Sequence, residues 1–381
     1  VEIAGFRLQQ YDESARASGA ALALLQRLGD DPARASRLHC ARALDRWGAG
    51  AYPVALEEVE RCVALRERAT PRDDVGLARA LHLRAIVLEA LDRNDDALAS
   101  EERAIALTRA ALGDRHPNLA RMLNTQAVLF REEDRYAESE ATLRHVLSIQ
   151  EEIDPTSSDL GATLMNLGNV LRKLGRLDDA TAVYRRSVAI YEAKAGPRHS
   201  LVANALDMLG LNLTESGHHA EGEAAALRSI AIRQDNGSGE HPSQAAALRL
   251  LGKQYRFVKQ PAKALERYRQ ALVIVEKKYG KDHPMTVSTS AGVGEALADL
   301  GRDAEARAVL ERAKTLTTAP EAAGQLARID FALARTMWST PSLRAEARAI
   351  AEEVLASWKA ENDPEGVPEI EAWLATHPAP R

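Results

Sequence analysis

The chain is short of the residues that most often announce chemistry. Its 381 residues include two cysteines, four tryptophans and four phenylalanines. Cys40 and Cys62 are too few for a disulfide framework or a metal-binding knuckle, and they fit a reducing compartment. No apolar run approaches the roughly 18 residues that span a bilayer. Neither sign of charge dominates, with 50 Lys and Arg against 55 Asp and Glu, so no global field recruits nucleic acid or an anionic membrane. The chain opens at Val1 rather than Met, without a secretory pattern, and the expectation is a soluble cytoplasmic fragment. There is no nucleophile elbow, Walker loop, zinc-protease helix or kinase catalytic loop. The expectation is therefore a non-enzyme with no cofactor and no metal.

What the chain does have is a period. Ala43, Ala85, Ala127, Gly168, Gly210, Gly252 and Gly294 follow one another at steps of 42, 42, 41, 42, 42 and 42 residues. Seven residues after each comes a breaker: Gly50, Asp92, Asp134, Gly175, Gly217, Lys259 and Gly301. Gly or Asp at such a place permits a tight turn between antiparallel helices. Twelve after each anchor stands a second small residue, at Ala55, Ala97, Ser139, Ala180, Gly222, Ala264 and Ala306. Nineteen after it come Cys62, Ala104, Val146, Ser187, Ser229, Ala271 and Ala313, so Cys62 reads as one small core residue in a column. Small side chains at these places let helices approach at the short end of the 8–10 Å range. Larger residues such as Leu167, Leu171, Tyr184 and Ile190 fill between them.

These three columns resemble the tetratricopeptide repeat. The 42-residue period and the loops GDRHP (113–117), GEHP (239–242) and GKDHP (280–284) are similar to the subclass found in kinesin light chains. GPRHS (196–200) departs by one residue, and IDPTSSD (153–159) lacks the histidine. The resemblance implies an all-α fold, a right-handed superhelical solenoid of antiparallel helix pairs. It sets seven repeats over 33–318, after an N-terminal helix or degenerate repeat in 1–32. A degenerate eighth repeat and a capping helix over 319–381 complete the layout, with Trp373 on the inner face of the cap.

The loop histidines His116, His199, His241 and His283 invite a metal reading, but each belongs to a different repeat. Ligands of one zinc must all lie about 2.0–2.3 Å from the ion, which one residue per repeat cannot satisfy. The expected role is structural, at the start of each first helix.

The first helices of such an array line its concave face. Their exposed positions fall at −6, −3, +1 and +4 from the anchor, one face by the 3.6-residue period. Eight of those 28 positions are basic: Arg37, Arg79, Arg121, Arg131, Arg172, Arg249, Lys253 and Arg256. Only Glu89, Asp207 and Glu295 are acidic there, in a chain whose net charge is −5. Arg37, Arg79 and Arg121 share one offset in successive repeats, beside an apolar strip of Leu44, Ile86 and Val128. Asn124, Asn169 and Asn204 offer amides to an extended backbone, a use that the resemblance implies. The expected partner is a protein or peptide with acidic and apolar residues, bound in the groove of an interaction scaffold. Two other functions stand beside it. The Ala/Arg-rich tail ARAIAEEVLASW…IEAWLA is similar to the C-terminal regions of bacterial serine/threonine protein kinases, which implies a regulatory module. The third is self-association through the array ends.

Overall fold

The computed structural model describes residues 31–237, 239–317, 323–360 and 366–379. Of the N-terminal helix or degenerate repeat expected in 1–32, residues 1–30 lie outside the described residues. The described chain is helical, without strands, and falls into two compact units, residues 1–194 and 195–381. The first unit holds α1 (Pro32–Gly48), α2 (Tyr52–Glu67), α3 (Asp74–Glu89) and α4 (Asn94–Leu112). It continues with α5 (Pro117–Glu132), α6 (Tyr136–Ile153), α7 (Ser158–Lys173) and α8 (Leu177–Ala195). The second unit holds α9 (Ser200–Glu215), α10 (His219–Asp235), α11 (Pro242–Phe257), α12 (Pro261–Tyr279) and α13 (Pro284–Asp299). It ends with α14 (Asp303–Leu316), α15 (Ala323–Met337), α16 (Arg344–Ala360) and α17 (Gly366–Thr376).

Each odd-numbered helix packs on its successor, and every breaker expected from the sequence turns the chain between them. Gly50, Asp92, Asp134, Gly175, Gly217, Lys259 and Gly301 all adopt positive φ, between 56° and 85°. The residue after each breaker returns its N–H to the carbonyl five positions back, as in Arg93 to Leu88 (3.0 Å) and Gln260 to Tyr255 (2.7 Å). That bond satisfies a carbonyl which the helix end leaves open. The three small columns are buried from end to end. Their polar members are satisfied internally: Ser139 Oγ donates to the Ala127 carbonyl at 2.6 Å, and Ser187 Oγ to that of Gly161 at 2.8 Å.

Loop histidines start the helices. Nδ1 of His116, His199, His241 and His283 accepts the backbone N–H two residues on, at 3.1, 3.2, 3.2 and 3.1 Å. Where the histidine is missing, Ser157 Oγ accepts from Leu160 N–H at 3.2 Å, and Asp73 accepts from Gly76 at 2.8 Å. All fill the side-chain acceptor role of a helix cap.

Of the anchor glycines, Gly168 and Gly252 face tyrosine rings, Gly294 faces Leu310, and Gly210 meets the Gly222 carbonyl. The Tyr184 ring, fully buried, lies so close to Gly168 that a Cβ there would stand 2.5–2.8 Å from three ring atoms. Tyr268 sits between Gly252 and Gly292, each leaving no room for a methyl without a shift. At the matching offsets in the preceding repeat stand Ala127 and Leu143, both fully buried. In the second unit Trp373 turns inward as expected, edge-on to Phe331 at 5.9 Å and Trp338 at 5.4 Å, and stacked on His377 at 4.3 Å.

The cysteines depart from expectation. Cys40 and Cys62 are joined by a disulfide that ties α1 to α2, with Cα atoms 5.5 Å apart. The expectation of a reducing compartment treated Cys62 as a small core residue of a column and gave Cys40 no place in the repeat. It did not see that these two positions of one repeat meet. Disulfides persist in oxidising surroundings, which overturns that reading of the pair.

Candidate binding face

First helices lie side by side within each unit: α1, α3, α5 and α7 in the first, and α9, α11, α13 and α15 in the second. Their outward positions therefore form a continuous face in each unit. Arg37, Arg79 and Arg121 stand on it exposed, and none has an ion-pair or hydrogen-bond partner among the described residues. Beside them Leu44 is 54% exposed, while Ile86 and Val128 are half-buried. Arg79 and Arg121 line a common cavity of about 410 Å³ with His82, Asn118 and Met122.

Behind that cavity is a pairing which no sequence column revealed. His82 Nδ1 meets the carboxylate of Glu101 at 2.8 and 3.1 Å, and Glu101 is fully buried on α4. Burial pushes the Glu101 carboxyl above its ordinary range, with the His82 hydrogen bond pulling the other way. His39 on α1 meets Glu58 on α2 in the same manner at 2.6 Å, and Arg42 joins Glu58 from 2.7 Å. Both pairs are 19 residues apart, the one signal that could have exposed them.

The other expected residues are engaged inside the protein to differing degrees. Asn124 accepts from Asn166 at 3.2 Å, and Asn169 from the Tyr184 hydroxyl at 2.7 Å. Asn204 accepts from Arg233 at 2.9 Å, while Arg233 forms a buried pair with Asp207 at 2.6 Å. Arg131 pairs with its neighbour Glu132. Arg172 and Lys253 are half-buried and have interactions of their own. Arg249 donates to Ser288 Oγ at 2.9 Å and to the Met285 sulfur at 3.1 Å, and burial lowers its pKa.

Arg256 is held most firmly. It donates to Asp299 at 2.6 Å and pairs with Glu295 on α13, while Arg335 of α15 reaches Asp299 at 2.5 Å. Burial pushes Asp299 up, but the two guanidinium groups outweigh it and its pKa is lowered. Arg256 works as a fastener between first helices. The structure thus brings two ladder arginines to one cavity in the first unit, and neutralises much of the face in the second. Among the described residues no group of three or more His, Cys, Asp or Glu could hold a metal ion. None of the described helices is long and apolar enough to cross a membrane.

A model of the tetratricopeptide repeat matches residues 73–152, 159–235, 211–277 and 243–319. The chain belongs to the tetratricopeptide repeat family. Solved structures of similar fold include BtubC (BKLC) from P. vanneervenii, with a TM-score of 0.53 and 19% identity, over 61% of this chain and 92% of that one. RapI in its apo form gives 0.58 and 14%, over 72% and 95%. A Rap protein complexed with competence and sporulation factor gives 0.58 and 11%, over 90% and 97%. At these identities the likeness concerns the fold. No curated protein matches the chain.

Proposed function

We propose that this tetratricopeptide repeat chain is a non-catalytic interaction scaffold whose first-helix face grips a partner peptide with acidic and apolar residues. The observation that carries the reading is the Arg37–Arg79–Arg121 ladder, exposed and without carboxylate partners beside Leu44, Ile86 and Val128. Elsewhere the chain pairs its face arginines internally, as at Arg256, and such neutralised groups contribute little to recognition. Asn124 and Arg131 extend the face along α5. Asn169, Arg172, Asn204, Arg249 and Lys253 are secondary contacts that a ligand must share with internal partners. A Rap protein of similar fold, complexed with competence and sporulation factor, is consistent with a scaffold that holds a partner.

We read residues 323–360 as a degenerate eighth repeat and 366–376 as its cap. A cytoplasmic setting would require Cys40 and Cys62 in their reduced form. The test is selection of a random displayed peptide library against the purified chain. Enriched peptides should be acidic and apolar, bind less tightly as salt rises, and be lost by the Arg79→Glu/Arg121→Glu variant with helicity intact. Retention of those peptides by the double variant removes the ladder. Concentration-dependent dimers in light scattering, with no peptide enriched, favour self-association.

A further inference from the structure

The cavity between α3 and α5 combines features that a general peptide groove does not need. Two guanidinium groups from successive repeats open onto one space of about 410 Å³, within the range of small-ligand sites. No acidic residue lines it. The nearby carboxylate, Glu101, sits buried behind the imidazole and is bonded to its Nδ1. That bond fixes the ring, and Nε2 of His82 has no partner among the described residues. With Nδ1 taken up by Glu101, Nε2 is the ring nitrogen left for a ligand. Asn118 adds an amide from the first turn of α5, at the helix end whose dipole also favours negative charge.

We propose that this cavity is a phosphoryl-binding pocket, in which Arg79 and Arg121 clasp a phosphate dianion and Asn118 and His82 complete its hydrogen bonds. The proposal rests on the groove reading only in that the phosphoryl group arrives on a partner peptide. Two fixed positive charges facing one space are both compensated by a dianion, whereas a carboxylate compensates one. Planar guanidinium forks also match phosphate oxygens two at a time. The distance from Nδ1 of His82 to Glu101, 2.8 Å, keeps the ring from swinging out with the ligand. The pocket would thus prefer a phosphorylated serine or threonine to a glutamate at the same place.

Calorimetric titration tests this with four probes at fixed ionic strength: inorganic phosphate, acetyl-Leu-phosphoserine-Leu-amide, and the serine and glutamate versions of that peptide. The expected result is binding of the phosphoserine peptide at least about tenfold tighter than the glutamate peptide, with the serine peptide silent. Arg79→Gln and Arg121→Gln should each weaken it by about tenfold or more, and Asn118→Ala by less, all with unchanged circular dichroism. The two arginine sites are exposed, so these variants keep the test valid even if His82→Ala fails to fold. Inorganic phosphate binding as tightly as the phosphopeptide supports the pocket and makes its source a free anion. Equal binding of the glutamate and phosphoserine peptides, or unchanged binding by the arginine variants, overturns the proposal. The groove reading stands or falls separately, on whether library-selected peptides are lost with Arg79→Glu/Arg121→Glu.

Discussion

Adding one methyl group at Gly168 tests the packing register of the array. A Cβ built there lies 2.5 Å from Tyr184 Cε1, 2.6 Å from Cζ and 2.8 Å from Cδ1. The ring cannot step aside cheaply, because it is fully buried and its hydroxyl is held by Asn169 at 2.7 Å. Overpacking of this kind costs about 1–3 kcal/mol. Alanine in a helix interior recovers about 1 kcal/mol over glycine. The net expectation for Gly168→Ala is a loss of about 0–2 kcal/mol, where an unhindered helical glycine would instead gain. Tyr184→Leu alone should cost about 2–4 kcal/mol, from the emptied ring volume and the unpaired Asn169 oxygen. The double variant puts at these two positions the residue types that the preceding repeat has at the same offsets, Ala127 and Leu143, both buried. It should therefore be more stable than the two single losses predict, by about 1 kcal/mol or more. Urea unfolding followed by circular dichroism reads all four corners of the cycle. Strict additivity, or a Gly168→Ala protein more stable than the parent, would refute the close approach of α7 and α8.

Lys259 carries a left-handed φ of 58° at an exposed turn where most repeats have Gly, so Lys259→Gly should stabilise the second unit by about 0.5–1 kcal/mol in thermal unfolding. Glu101 has a raised pKa in the folded state, so its folded form binds protons more readily and stability from this group is lost as pH rises. Unfolding midpoints should therefore improve as pH falls from 7 towards the usual carboxylate range, and Glu101→Gln should remove that increment; an unchanged pH profile in the variant refutes it. Opening the Cys40–Cys62 bridge, which closes 22 residues, should cost about 3 kcal/mol by chain entropy. Thiol titration of the folded chain should find no reactive cysteine until reductant is added, and two free thiols at the outset would refute the bridge.

Much of the fold was legible because it depends on short offsets repeated seven times. The seven breakers all turn with positive φ, even Lys259, whose residue type argues least for it. The His-Pro loops marked helix starts, though not that the imidazole itself would be the cap acceptor. The site was less legible, because a face position says where a side chain stands and not which neighbour claims it. Arg79 and Arg256 are equally basic at face offsets, yet one opens onto a cavity and the other is clamped by Glu295 and Asp299, some 40 residues on. His82 and Asn118 escaped notice because their significance depends on α3, α4 and α5 together. Cys40 and Cys62 escaped for the same reason: their 22-residue separation spans a helix turn, and only Cys62 falls in one of the repeated small columns.

The fit of Tyr184 against Gly168 also bears on how such an array can be rearranged. In α7 and α8 a bare anchor meets a ring, whereas the matching positions of α5 and α6 hold the methyl-bearing Ala127 and the smaller Leu143, both buried. A genetic exchange that breaks the chain between repeats moves such a couple whole, and both halves still match. An exchange at the turn between two helices can put an alanine anchor opposite a tyrosine, and the hybrid is overfilled. The loops that end in His-Pro are thus permissive crossover points, and the Gly175 turn is a forbidden one for partners of the alanine type. Where a ring reaches two repeats, as Tyr268 does through Gly252 and Gly292, even whole-repeat exchange is restricted, and that pair of neighbours must be inherited together.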